Sequence, residues 1–259
     1  MGEINMANGL EGLVLYFSLK YEGDFQKIYE ALMHKEQVDE KLKSELMEKL
    51  KCKYVTIFSD DYPEMLKQID CPPFVLYYYG NLKLLDTATV AVEGTVNPTD
   101  YGKKATERVV NELISKQYTV VSGLGLGVNA IVHDVAIKNN GKTIAILGSG
   151  IDNCYPKENI NLYNEIKSKH LLLSEYPFDV APTRQNLMFR GRLIAGISKT
   201  VIITEIEIHG PKIVTAGYAL EQSKDIYCVP TSIDNEKNGC NDLIKNGANV
   251  YEKIDDLFI

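Results

Sequence analysis

Seven short apolar runs punctuate this chain: Phe74–Tyr79, Thr89–Val92, Thr119–Ser122, Thr143–Leu147, Leu171–Ser174, Thr200–Thr204 and Ile226–Val229. Most are separated by segments of helical period. In Tyr101–Ser115 the residues Ala105, Val109 and Leu113 share a face, and Val128–Lys138 and Val214–Gln222 have the same spacing. Runs apolar on both faces, with helices between them, predict parallel strands covered on both sides. Right-handed crossovers then make the sheet open and doubly wound. The expectation is an α/β fold, an extended Rossmann-like, mostly parallel sheet.

Residues before this pattern read differently. Leu13, Leu15, Phe17 and Leu19 open an apolar stretch, and Phe25, Ile28, Tyr29 and Leu32 recur at helical spacing. Leu42, Leu46 and Leu50, with charges between them, mark an amphipathic helix within Asp39–Lys53. Ser59-Asp-Asp-Tyr-Pro breaks that pattern. This predicts a helical module over residues 1–58 and a main domain over 59–259. With 45% hydrophobic and 24% charged residues, the chain has ordinary globular composition and can bury a core without staples.

Charge excludes a generic polyanion binder, because 35 acidic residues outnumber 28 basic ones and the net charge is -7. No apolar run approaches bilayer thickness, and the start Met1-Gly-Glu-Ile-Asn lacks the features of a signal peptide. The expectation is a cytoplasmic protein that does not enter membranes. Five cysteines and four histidines show no metal-ligand spacing, so reduced thiols, no metal and no cofactor are expected.

The glycines fall where the strands end. Gly94 follows the run ending at Val92, Gly123, Gly125 and Gly127 follow the one ending at Val121, and Gly148 and Gly150 follow Leu147. Gly210 lies beyond Thr204. In open α/β sheets ligands bind outside the carboxyl ends of the strands, and glycine there lets backbone N–H groups approach an anion. The turn Ser122-Gly-Leu-Gly-Leu-Gly is neither a dinucleotide fingerprint nor a Walker A loop. Close packing of strand and helix explains its glycines equally well. The window Ala181–Thr204 carries Arg184, Arg190, Arg192 and Lys199 and no acid, which makes it the natural place for a bound anion.

Read in order, these pieces resemble the DprA/Smf family of DNA-processing proteins. The resemblance runs from about Tyr62 to Val250. It includes Tyr62-Pro-Glu-Met-Leu, Pro72-Pro, Ser122-Gly-Leu-Gly-Leu-Gly-Val-Asn-Ala with His133, and Ser174-Glu-Tyr-Pro. Arg190-Gly-Arg-Leu-Ile-Ala-Gly-Ile-Ser and Gly239-Cys-Asn-Asp-Leu-Ile-Lys-Asn-Gly-Ala complete it. It implies a non-catalytic binder of single-stranded DNA that helps to load RecA during transformation and recombination, commonly as a homodimer. Many members add a C-terminal winged helix, which is not expected here.

The departures from the family pattern fall in its anion pocket. Glu93-Gly94-Thr95-Val96 stands where the family has an apolar residue, Gly, Ser or Thr, and Arg. Gly125, Leu126 and Asn129 replace Ala, Arg and Asp, and His209-Gly210-Pro211-Lys212 replaces Ser-Gly-Ser-Leu. Losing arginine at positions 96 and 126 removes roughly two phosphate contacts, or about 1.4 in the salt slope of binding. Glu93 either repels a bound phosphate or pairs with Arg190 or Arg192; the residues alone leave both open. The expected DNA or phosphate contacts are the backbone at Gly94, Thr95, Ser122, Gly123, Gly125, Gly127 and Gly210, with the cations Arg184, Arg190, Arg192 and Lys212. Phe178, Phe189 and Tyr101 are candidates for base stacking, and packing is the alternative for each. Glu205, His209 and Lys212 could instead serve a hydrolase or sensor of a nucleotide-like molecule in the same crevice. A protein-interaction module without ligand is the third reading.

Overall fold

The computed structural model describes residues 2–208 and 213–257. Nine strands among them form one sheet: β1 (Lys53–Thr56), β2 (Val75–Gly80), β3 (Thr89–Glu93), β4 (Thr119–Gly123), β5 (Lys142–Ile146), β6 (Leu171–Ser174), β7 (Thr200–Ile203), β8 (Asp225–Cys228) and β9 (Asn249–Val250). Their order is β1-β2-β6-β5-β4-β3-β7-β8-β9. The pairs from β6 to β9 are parallel, whereas β2 pairs antiparallel with both β1 and β6. This is the doubly wound, Rossmann-like sheet that the rhythm of the sequence predicts.

The helices are α1 (Gly2–Lys20), α2 (Phe25–Met33), α3 (Glu40–Lys49), α4 (Glu64–Lys67), α5 (Asp100–Ser115), α6 (Val128–Lys138), α7 (Ile160–Lys169), α8 (Arg184–Phe189), α9 (Gly191–Gly196), α10 (Ile213–Glu221) and α11 (Gly239–Lys245). Strand side chains alternate between the two faces. Ala91, Val121, Ile144 and Val201 therefore pack with Leu193, Ile194 and Ala219 of α9 and α10. Val90, Val92, Val120 and Ile202 pack instead with α5 and α6 through Val109, Leu113, Val128 and Val132. Because helices cover both faces, every residue of β3 and β4 is buried.

Two strands escaped the sequence reading. Lys53–Thr56 has only two buried positions, and Asn249–Val250 is two exposed residues long, so neither carries an apolar run. The first lies ahead of the expected boundary at residue 58 and is hydrogen-bonded to β2. The helical N-terminus also packs directly on the sheet. Val14, Leu15 and Leu19 of α1 share a core with Val75 and Tyr77, and the Tyr77 hydroxyl donates to Ser18 Oγ at 2.8 Å. Asp24 and Asp39 cap α2 and α3 by accepting from the first-turn N–H groups.

The parallel strands are laid down in two directions from β3: β4, β5 and β6 to one side, β7, β8 and β9 to the other. The loops leaving β3 and β7 therefore diverge at their carboxyl ends. That divergence opens the crevice in which such sheets bind ligands.

Candidate functional site

Two carboxylates from the loop after β7 hold the switch point together. Glu205 accepts from the Thr99 N–H (2.7 Å) and hydroxyl (2.6 Å), which places a negative charge at the N-terminus of α5. Asn235 Nδ2 adds a third donor at 3.2 Å. Glu207 accepts from Thr95 Oγ1 (2.6 Å) and pairs with Lys237 (2.8 Å). Burial would raise the Glu207 carboxyl, but the bonds from Lys237 and Thr95 outweigh it and hold it below its ordinary value. The Thr95 N–H is taken by the Glu205 carbonyl at 2.8 Å. Thr95, expected to donate to phosphate, is thus fully committed inside the protein.

The β4–α6 turn is filled in the same way. Glu93, fully buried, accepts from Gly123 N–H (3.0 Å), Ser122 Oγ (3.1 Å) and Asn129 Nδ2 (2.9 Å). Ser122 and Gly123 were expected to bind phosphate, yet here they bind a carboxylate of the chain itself. The glycines have steric reasons. A Cβ on Gly123 would lie 2.5 Å from the Arg190 guanidinium, and one on Gly127 would lie 2.3 Å from the Val96 carbonyl, at φ +68°. His133 beneath the turn bonds Gly123 O through Nε2 (2.9 Å) and Thr143 Oγ1 through Nδ1 (2.7 Å). Burial pulls its pKa down to about 4, so the ring is a neutral tie between α6, β4 and β5.

The arginines of the acid-free window have separate fates. Arg190 is buried and approaches Ile146 O at 3.4 Å. Burial lowers its pKa from the ordinary guanidinium value, and the nearby Glu93 carboxylate opposes that shift. Of the two partners open to Glu93, Arg190 is the one beside it. Arg192, 1% exposed, makes a bidentate pair with Glu175 at 2.9 and 2.5 Å and stacks on the Phe189 ring. The expectation that Arg192 reaches a ligand is corrected, because α9 turns it into the core. Arg184 is exposed and makes no ion pair among the described residues. Lys199 faces the opposite, amino-terminal edge of the sheet beside Thr89.

What remains is a crevice of about 800 Å³ above β3 and β4. Arg184, Arg190 and Glu93 are the charged groups lining it, together with Gly125 and Asn129. Its walls are apolar: Val96, Leu126 and Tyr155 are 45%, 41% and 45% exposed, and Leu187, Met188 and Val214 lie opposite. Gly94 is buried below, where a Cβ would meet Val128. His209, Gly210 and Lys212 lie outside the described residues, so the trio with Glu205 does too. Among the stacking candidates, Phe189 sits against Arg192, Phe178 packs on the α1 side of the core, and Tyr101 alone presents an exposed ring. The sequence left an internal role open for Glu93 but gave none to Glu205 and Glu207 as acceptors for Thr99 and Thr95. Only the spacing of these two acids, two apart, hinted at it.

Among the described residues no cluster of three or more His, Cys, Asp or Glu groups could hold a metal. No helix there is long and apolar enough to cross a membrane. Fold and crevice together define a Rossmann-like domain with an open crevice at the strands' carboxyl ends. The chain belongs to the DNA recombination-mediator protein A family, whose model matches residues 53–259. It is similar to Protein Smf of Synechocystis, with 40% identity over 202 residues, covering 76% of this chain and 51% of that protein. It is also similar to DprA of Streptococcus pneumoniae, with 37% identity over 203 residues, covering 78% and 72%. The chain therefore spans about half the length of the first relative. The X-ray structure of S. pneumoniae DprA superposes with a TM-score of 0.80 at 33% identity, covering 89% of this chain and 78% of that one. The Helicobacter pylori DprA structure, described for its single-stranded DNA binding mode, superposes at 0.71 and 33% identity, covering 77% and 91%.

Proposed function

We propose that this protein binds single-stranded DNA at the carboxyl edge of its sheet and acts as a non-catalytic mediator of DNA processing and recombination. The observation that carries the reading is the open crevice of about 800 Å³ with Arg184 free above it, in a chain of this family. A cytoplasmic homodimer that delivers DNA to a RecA-type recombinase is the corresponding assembly. Gly125 and Arg184 are the contacts that survive at the rim, and Lys212 and Gly210 complete the proposed set. Ser122 and Gly123 hold Glu93, and Arg190 lies near it in the crevice lining.

With few free cations in the crevice among the described residues, affinity rests on apolar contact with bases more than on phosphate neutralisation. Titration of oligo-dT at two salt concentrations tests this. The expected slope is shallow, and Arg184→Ala lowers it by about 0.7 while weakening binding. Affinity and slope unchanged by Arg184→Ala would remove the crevice assignment. The apolar walls and the internally committed donors favour one second reading, a single nucleotide-like molecule. Stabilisation by mononucleotides with no retardation of single-stranded DNA would select it.

A further inference from the structure

A second groove opens on the same edge of the sheet, outside the crevice. It measures about 670 Å³ and runs between α5 and the segments that follow β8 and β9. Tyr101, Lys104, Arg108, Val229, Tyr251 and Lys253 shape it. Glu252 is the sole carboxylate residue in its lining, against three cations. Arg108 is held in place by Glu112 (2.8 Å) and by the Glu252 carbonyl (2.9 Å). Lys104 and Lys253 are exposed and in no ion pair among the described residues. Asp256, near Lys253, is committed to the N–H groups of Glu252 and Lys253, both at 2.8 Å.

Tyr101 gives the groove its character. Tyr101 is 47% exposed, yet its hydroxyl donates to Pro230 O at 2.5 Å, which restrains the ring. A rigid aromatic face beside unpaired cations is the arrangement that binds single strands: bases stack and phosphates meet the ammonium groups. Tyr101 stands two residues beyond Thr99, which is anchored to Glu205 at the switch point. The groove and the crevice share no lining residue, and the segment from Val96 on the crevice wall to Tyr101 in the groove links the two along the chain.

We infer that this groove is a second contact for the same strand, with Tyr101 stacking on a base and Lys104 and Lys253 neutralising phosphates. The inference rests on single-stranded DNA being the ligand. It accounts for how a strand can be held by a domain whose central crevice retains so few free cations among the described residues.

The test uses the full chain and an oligo-dT of about twenty nucleotides, long enough to cover both places. Lys104→Ala/Lys253→Ala should lower the salt slope by about 1.4, two contacts at about 0.7 each. Tyr101→Ala should weaken binding about tenfold, and Tyr101→Phe should retain the wild-type affinity because it keeps the ring. Iodouracil photo-crosslinking should label Tyr101. Thermal melting of each variant separates lost contacts from lost folding, since all three side chains are exposed. If the wild-type protein binds no oligonucleotide, the ligand reading itself fails. If it binds, and Arg184→Ala weakens it, while the groove variants match wild type in affinity and slope, the groove inference alone is overturned. Equal loss in Tyr101→Phe and Tyr101→Ala would overturn it as well, because the Pro230 bond and not the ring would then be responsible. Displacement of the strand from the crevice only, with an acidic peptide protecting Lys104 and Lys253, would assign the groove to a protein partner.

Discussion

Helices α8 and α9 are consecutive, six residues each, and drawn from one acid-free stretch, yet they could hardly differ more. None of the α8 residues is buried, whereas every residue of α9 is. Arg184 opens the first with its guanidinium in solvent. Arg192 lies in the second, locked to Glu175, and Arg190 between them is buried beside Glu93. A cluster of positive charge in a sequence therefore says little about the charge a ligand meets. A cation held by an internal carboxylate is structural, and its removal strands the partner.

Four experiments sharpen that contrast. The largest effect is expected for Arg192→Leu, which leaves Glu175 buried without its partner. Urea unfolding should show a loss of about 3–5 kcal/mol, and Arg192→Leu/Glu175→Leu should recover most of it. A single-mutant loss below about 1 kcal/mol would mean that the pair is solvated and that α9 resembles α8.

Next comes acid. His133 is held neutral with its pKa at about 4, against the ordinary 6.5 of the unfolded chain. Its stabilising share is complete above pH 6.5 and is lost as pH falls toward 4, because the unfolded state takes up the proton first. Between pH 6.5 and 5 the loss is about 1.6 kcal/mol. Denaturation of wild type and His133→Gln at both pH values should show this difference in the wild type only.

Smaller again is Gly123→Ala. The added methyl meets the far end of the Arg190 side chain, and the displaced guanidinium should cost about 1 kcal/mol. An unaffected melting temperature would show that Arg190 moves freely and is available to a ligand after all. The smallest effect on stability belongs to Val96→Arg, at an exposed position on the crevice wall. It should leave folding within about 0.5 kcal/mol of wild type and raise the salt slope of DNA binding by about 0.7. No gain in slope would mean that the strand passes elsewhere on the rim.

Much of the architecture can be read along the chain. Val90, Val120, Ile144, Leu172 and Ile202 sit in short apolar runs because a strand covered on both faces needs nothing else, and helical spacing in Tyr101–Ser115 needs no tertiary context to be recognised. Lys53–Thr56 was hidden because an edge strand with one covered half has no such run. The candidate site was less legible. Gly123 and Gly127 read as a phosphate cradle, while their actual neighbours are Arg190 and the Val96 carbonyl.

The parallel, doubly wound type of the central sheet, the placement of the crevice at the strands' carboxyl ends, and the family are properties of the sequence alone. They depend on periodicity and on residues near one another along the chain. Which charges are free was decided only by the tertiary structure. Glu93 meets Gly123 across 30 positions, Glu205 reaches Thr99 across 106, and Arg192 finds Glu175 across 17. An ion's availability depends on its burial and on the partner that folding brings to it, and neither can be read from the local sequence.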